Sequence, residues 1–151
     1  MEIINNIEWY FFNDKVKNAI IRDTGKKISK KQLETIIFDD SIKENVKFCL
    51  ALNNDFSFSE TIELSRPINI EQVLTLIHDF YNEPLKEENI DKAFENNEEW
   101  KEEILERFDG DIRKLTNYHV FEDTCTPDFC GIHLLDEGEH IGEYFVEIGP
   151  E

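Results

Sequence analysis

Two thiols and two imidazoles crowd one short stretch of the chain, in the order His119-x5-Cys125-x4-Cys130-x2-His133. Zinc favours thiolates and imidazoles in a tetrahedral array, and the spacer between the two cysteines lets both sulfurs reach one ion. The linking residues Thr124-Cys125-Thr126-Pro127-Asp128-Phe129-Cys130-Gly131 are rich in turn formers, as a metal knuckle between two strands would be. His119, Cys125, Cys130 and His133 are therefore the candidate metal ligands, and zinc is the one cofactor the sequence suggests. A plainer account competes with it. Structural zinc sites usually carry a second well-spaced ligand pair, and cysteine is commonly a small buried hydrophobe.

The same residues could serve nucleophilic chemistry, with Cys125 or Cys130 deprotonated by His119 or His133. No strained nucleophile turn or oxyanion loop accompanies them, and an acidic surrounding field opposes thiolate formation. No catalytic residue is assigned, and an enzyme is not the expected class. A second cluster, His133, Asp136, Glu139, His140 and Glu143, offers oxygens and imidazoles for a divalent cation. Its spacing matches neither an EF-hand nor a His-Glu-x-x-His helix, so a solvated acidic face is the expectation. The phosphate-cradling glycine loops of nucleotide-binding proteins are absent. Lys26-Lys27-Ile28-Ser29-Lys30-Lys31 is a basic run, expected as the solvated start of a helix. His78 is expected at the half-buried border of another helix.

The elements that must position these residues follow from periodicity. Residues 7–12 are aromatic-rich and suit a strand, and 16–22 suit a second, closed by Asp23-Thr24-Gly25. Ser29 and Gln32 form a capping box that opens a helix over 29–38. Val46, Phe48, Leu50 and Leu52 alternate, Asn53-Asn54-Asp55 turns, and 57–65 alternates again, which predicts a hairpin. The clearest element is a helix over 69–82, capped by Asn69 with Gln72 and ended by Pro84. Its Ile70, Val73, Leu74, Ile77 and Tyr81 make one stripe. Two further helices are expected near 86–95 and 97–108, the latter peripheral because its apolar stripe is narrow. Strands at 118–122, 132–136 and 143–148 complete a meander. Strands grouped around a helical middle indicate an α+β class. The expected architecture is an antiparallel or mixed sheet packed by the amphipathic central helix, with a C-terminal β-meander, in one acidic domain spanning residues 1–151.

Composition narrows the function classes. The chain has 151 residues and a net charge of −18. Residues 1–50 hold nine Lys/Arg and eight Asp/Glu, whereas residues 51–151 hold seven and 26, so the later region carries −19. Such a surface repels phosphate backbones, which argues against direct nucleic-acid binding. No apolar stretch is long enough to span a bilayer, and no leader pattern opens the chain. Three cysteines do not make a disulfide scaffold. An intracellular setting is expected, in the cytoplasm or nucleus of a host cell or in a virion.

The segment Ser65 to Leu85, with its Pro67 entry, Val73-Leu74-x-x-Ile77, Phe80-Tyr81 and Pro84-Leu85 exit, resembles one recurring in small uncharacterised proteins of giant DNA viruses. That resemblance implies no activity. Three functions stand as expectations. The first is a non-enzymatic protein whose acidic surface engages a basic protein partner, in one version a mimic of nucleic acid. The second is a zinc-binding module or small metalloenzyme built on Cys125, Cys130 and the histidines. The third is a structural component that assembles with itself.

Overall fold

The computed structural model describes residues 2–12, 14–121 and 128–149. In chain order its elements are β1 (Ile7–Glu8), β2 (Ile20–Ile21), β3 (Lys26–Lys27), α1 (Lys30–Leu33), β4 (Ile36–Phe38), β5 (Val46–Ala51), β6 (Ser59–Leu64), β7 (Ile68–Asn69), α2 (Ile70–Asn82), α3 (Ile90–Ala93), α4 (Glu98–Arg107), β8 (Asp128–Leu134) and β9 (Tyr144–Gly149). Short 3-10 turns lie between several of them. The main sheet has the order β6-β5-β9-β8. Two antiparallel hairpins, β5/β6 and β8/β9, are joined by the parallel pairing of β5 with β9. The expected α+β class, with a mixed sheet covered by an amphipathic helix, is what the structure has.

Helix α2 is the core's centre. Asn69 accepts from the Gln72 amide and Gln72 accepts from the Asn69 amide, both at 2.8 Å, so two orphan donors at the helix start are satisfied. Ile70, Val73, Leu74, Ile77, Phe80 and Tyr81 are buried. Each such side chain gains about 1.5–3 kcal/mol from leaving water, before its ordering entropy is set against it. They pack on the sheet face made by Val46, Phe48 and Leu50 of β5 with Val146 and Ile148 of β9. Two buried polar bonds fix the helix further. The Tyr81 hydroxyl donates to the Ala51 carbonyl at 2.9 Å, and the Asn117 amide donates to the Phe80 carbonyl at 2.8 Å. Burial, with a smaller contribution from Cys49, drives the Tyr81 pKa well above the ordinary phenol range, so the hydroxyl stays a donor.

Several elements differ from expectation in extent. The helix from Ser29 is a single turn, held by its predicted capping box, and Ile36–Phe38 turns into a strand that pairs with β7. The aromatic N-terminal segment pairs over only Ile7–Glu8, plus one bridge from Trp9 to Phe129. Tyr118 to Val120 is not a meander strand but part of a 3-10 turn, Asn117–Val120. The turn is tied to the end of α2, where Asn117 donates to the Glu83 carbonyl and, with its side chain, to the Phe80 carbonyl that also accepts from the Glu83 amide. Glu122 of that expected strand lies outside the described residues. Helix α4 buries only Trp100 and Ile104, as its narrow stripe predicts. His78 is half-buried, stacked on Trp9. Lys26, Lys27, Lys30 and Lys31 are exposed. Among the described residues no helix is long and apolar enough to cross a membrane.

Gly131 marks where β8 bulges against β9, at φ +124°. The Asn5 side chain occupies the space beside it, with Oδ1 accepting from the Ile132 amide at 2.9 Å. A Cβ at Gly131 would stand 2.5 Å from that oxygen. Gly131→Ala should therefore lower the urea-unfolding free energy by about 2–4 kcal/mol, from backbone strain and overpacking together. Gly25→Ala, at φ +66° in open space, should lose only about 1 kcal/mol. Equal losses at the two positions would show that Asn5 does not fill the bulge.

Candidate functional site

Alternation in β5 sends Val46, Phe48 and Leu50 inward and therefore Lys47, Cys49 and Ala51 to the opposite face. The register with β6 places Thr61 beside Cys49 and Ser59 beside Ala51, on that same outer face. A residue there would ordinarily meet water, yet Cys49 is only 3% exposed. The connection between β8 and β9 folds back toward it. Its base is closed by the Leu135 amide donating to the Glu143 carbonyl and the Gly142 amide donating to the Leu135 carbonyl, both at 2.9 Å. Gly142, at φ +87°, makes the turn that sets His140 and Glu143 together against the outer face.

The side chains form a continuous hydrogen-bonded line. The Cys49 thiol donates to Ser59 Oγ at 3.2 Å, and Ser59 Oγ lies 3.4 Å from His140 Nε2. His140 Nδ1 is 3.0 Å from Glu143 Oε2, and the Thr61 hydroxyl donates to Glu143 Oε1 at 2.6 Å. With Glu143 ionised, Nδ1 is the donor to it, which leaves Nε2 as the acceptor facing Ser59. Burial alone would raise the Glu143 pKa. The bonds from Thr61 and His140, with the charge of His140 when it is protonated and that of Lys47, outweigh that and hold it below the usual glutamate value. Cys49 behaves oppositely. Burial pushes its thiol pKa up, the Ser59 bond opposes this, and the Glu143 charge pushes it up further.

One donor atom each from Cys49, His140 and Glu143 lie within 4.8 Å of one another. Sulfur, imidazole nitrogen and carboxylate oxygen form a donor set that suits zinc. Of the residues singled out from sequence, His140 and Glu143 belong here, while His133 of the same run does not. His133 is exposed on β8, with Nδ1 3.6 Å from Glu147 and its ring against Phe145. His119 uses Nδ1 to accept from the Thr116 amide at 2.8 Å, and its ring edges meet Phe12 and Phe108. Cys130 is half-buried on β8, with Sγ 3.5 Å from the Asp128 carbonyl. Cys125 lies outside the described residues. Among the described residues the metal-competent grouping is the Cys49 one, and it includes none of His119, Cys130 and His133. Sequence reasoning missed Cys49, Ser59 and Thr61 as site residues. The available signal was the strand alternation itself, which puts a thiol and two hydroxyls on the outer face of one hairpin.

Comparison with protein-family models, with curated proteins and with solved structures finds no match.

The Glu143 carboxyl should titrate below an ordinary glutamate, because ionisation keeps the bonds from Thr61 and His140. A group depressed in this way stabilises the fold above its unfolded pKa, and the contribution disappears as pH falls through the lowered folded value. Thr61→Val removes one charge-assisted bond, worth about 1.5–3 kcal/mol. Carbon-detected NMR of the carboxyl should show the midpoint moving up toward the ordinary value. An unmoved midpoint would show that Thr61 does not hold Glu143.

Proposed function

We propose that the outer face of the β5/β6 hairpin binds a zinc-like divalent cation, with the Cys49 thiolate, His140 imidazole and Glu143 carboxylate as ligands. The observation that carries this reading is the convergence of three donor types, from β5 and the β8–β9 connection, within 4.8 Å. Ser59 and Thr61 hold Cys49, His140 and Glu143 in place through hydroxyl bonds, the supporting role that outer partners take at metal centres. Three protein ligands leave a fourth tetrahedral position for water or another molecule, whereas purely structural zinc sites are closed by four. Because the Cys49 thiol is protonated at neutral pH, binding must release its proton and strengthen as pH rises.

A second reading stands beside it, in which the acidic surface engages a basic protein. It is supported by the −18 net charge, concentrated after residue 50. Among the described residues only a few acids have a cation at ion-pair distance, including Glu60 with Lys86 and Glu63 with Lys47. Exposed pairs of that kind contribute about 0–1 kcal/mol each, so most of the field is left for a partner.

Zinc titrated into chelator-stripped protein, followed by calorimetry in buffers of different ionisation heat, tests the metal reading. One equivalent should bind with proton release. Cobalt(II) should give a thiolate charge-transfer band that Cys49→Ser removes and Cys130→Ser leaves in place. Ser59→Ala should weaken affinity about 10–100-fold. Absence of stoichiometric binding, or binding indifferent to Cys49→Ser, ends this reading.

A further inference from the structure

Strand β6 closes one side of the main sheet and, among the described residues, pairs with β5 alone. The Leu52 amide donates to the Phe58 carbonyl at 2.7 Å. Alternation from that bond turns the backbone groups of Glu60, Ile62 and Leu64 toward β5 and those of Ser59, Thr61 and Glu63 to the free edge. A long edge strand is a template for another chain, and proteins normally cover or blunt it. Here it borders a groove of about 470 Å³. The groove's apolar floor is Ile62 and Leu64 from β6 with Leu76 and Phe80 from α2. Helix α2 thus overhangs the sheet edge, and the space under the overhang is where the inward side chains of a fifth strand would sit. The rim is anionic, carrying Glu71, Asp79 and Glu83 along the helix. Glu71 and Glu83 have no ion-pair partner among the described residues.

We propose that β6 accepts an extended peptide segment of a basic partner protein as a fifth, edge-added strand. Its backbone bonds to the Thr61 and Glu63 edge, and its inward-facing alternate side chains are apolar over the Ile62 and Leu64 floor and Lys or Arg beyond it, where they reach Glu71, Asp79 and Glu83 along the helix. This mode draws affinity from main-chain bonds and selectivity from alternate pockets. Charge complementarity identifies the occupant, since an acidic rim on a chain of net charge −18 repels acidic strands and other copies of itself. The inference rests on the basic-partner reading and is independent of the metal site, which uses side chains on the opposite face.

The test uses a fluorescent peptide whose inward-facing alternate positions run Lys-Val-Val-Lys with Thr between them, followed by anisotropy on the full chain in chelator. Binding should weaken with salt, and the same peptide with Glu in place of Lys should not bind. Glu63→Pro deletes an amide that points to the free edge and breaks no bond to β5, while Glu63→Gln removes only the charge. Glu63→Pro should bind at least about tenfold more weakly than Glu63→Gln, the worth of about one hydrogen bond with its groove contacts. A peptide N-methylated on its bonding edge should lose binding to the unaltered protein, which keeps the test decisive even where Glu63→Pro fails to fold. Equal affinity for the methylated peptide, or for a stapled helix of the same composition, overturns edge addition while leaving a basic partner in place. Failure of every basic peptide to bind overturns both. Salt-dependent self-association that excludes the peptide assigns the edge to a second copy and overturns the proposal.

Discussion

Everything in the main sheet passes through the two-sided pairing of β5. It bonds antiparallel to β6 and parallel to β9, so among the described residues it is the strand pairing that joins the two hairpins. Five of its six residues are buried, the exposed exception being Lys47. A strand with both faces and both edges covered can tolerate little change. Its inward Val46, Phe48 and Leu50 seat α2, its last carbonyl takes the Tyr81 hydroxyl, and its outward Cys49 anchors the polar cluster. The parallel β5/β9 contact also requires a long intervening segment, because parallel neighbours cannot be joined by a tight turn. That segment holds α2, α3 and α4, which is why the helical middle divides the strands in sequence and rejoins them in space.

A core of this kind has to hold against the charge. Exposed ion pairs such as Arg107 with Glu103 or Lys86 with Glu60 contribute at most about 1 kcal/mol each and weaken with salt. Buried and half-buried aromatics supply much more. Phe11, Tyr81, Tyr118 and Phe121 meet edge-to-face or tilted at centroid distances of 5.0 to 6.1 Å. Trp9 makes similar contacts with Phe11 and Phe129. These aromatics tie the irregular N-terminal segment and the 3-10 turn at Asn117 to α2 where no sheet connects them. Packing, with a few buried hydrogen bonds, carries the fold against self-repulsion.

Local periodicity made α2, its capping pair and the β5/β6 hairpin legible, because each follows from residues adjacent in sequence. Asn69 and Gln72 are three positions apart, and the alternation of Val46 to Leu52 needs no partner to be seen. What stayed hidden depends on residues far apart. The turn at Asn117 is bonded to the Phe80 and Glu83 carbonyls at the end of α2, and nothing within 118–122 announces that. The β8 bulge depends on Asn5 reaching Gly131 from the other end of the chain. The cluster at Cys49 was half visible. His140 and Glu143 stood out as an acid-histidine pair, but Cys49 and Ser59 join them only once the sheet order and the fold-back of the β8–β9 connection are known.

The electrostatics of that cluster bear directly on the proposed metal site. Left to itself, Cys49 has reason to keep its proton, since burial and the Glu143 carboxylate both oppose a thiolate. Two unit charges about 4 Å apart interact by about 4 kcal/mol at an effective dielectric near 20. The same proximity that forbids an isolated thiolate therefore rewards a dication, whose charge a thiolate and a carboxylate together cancel. Glu143 is already ionised and held by Thr61, and His140 is turned by Glu143 so that Nε2 faces inward along the line to Ser59. Only the thiol proton has to leave. Under the metal proposal, a sulfur that is costly to ionise would find its compensation in a soft cation.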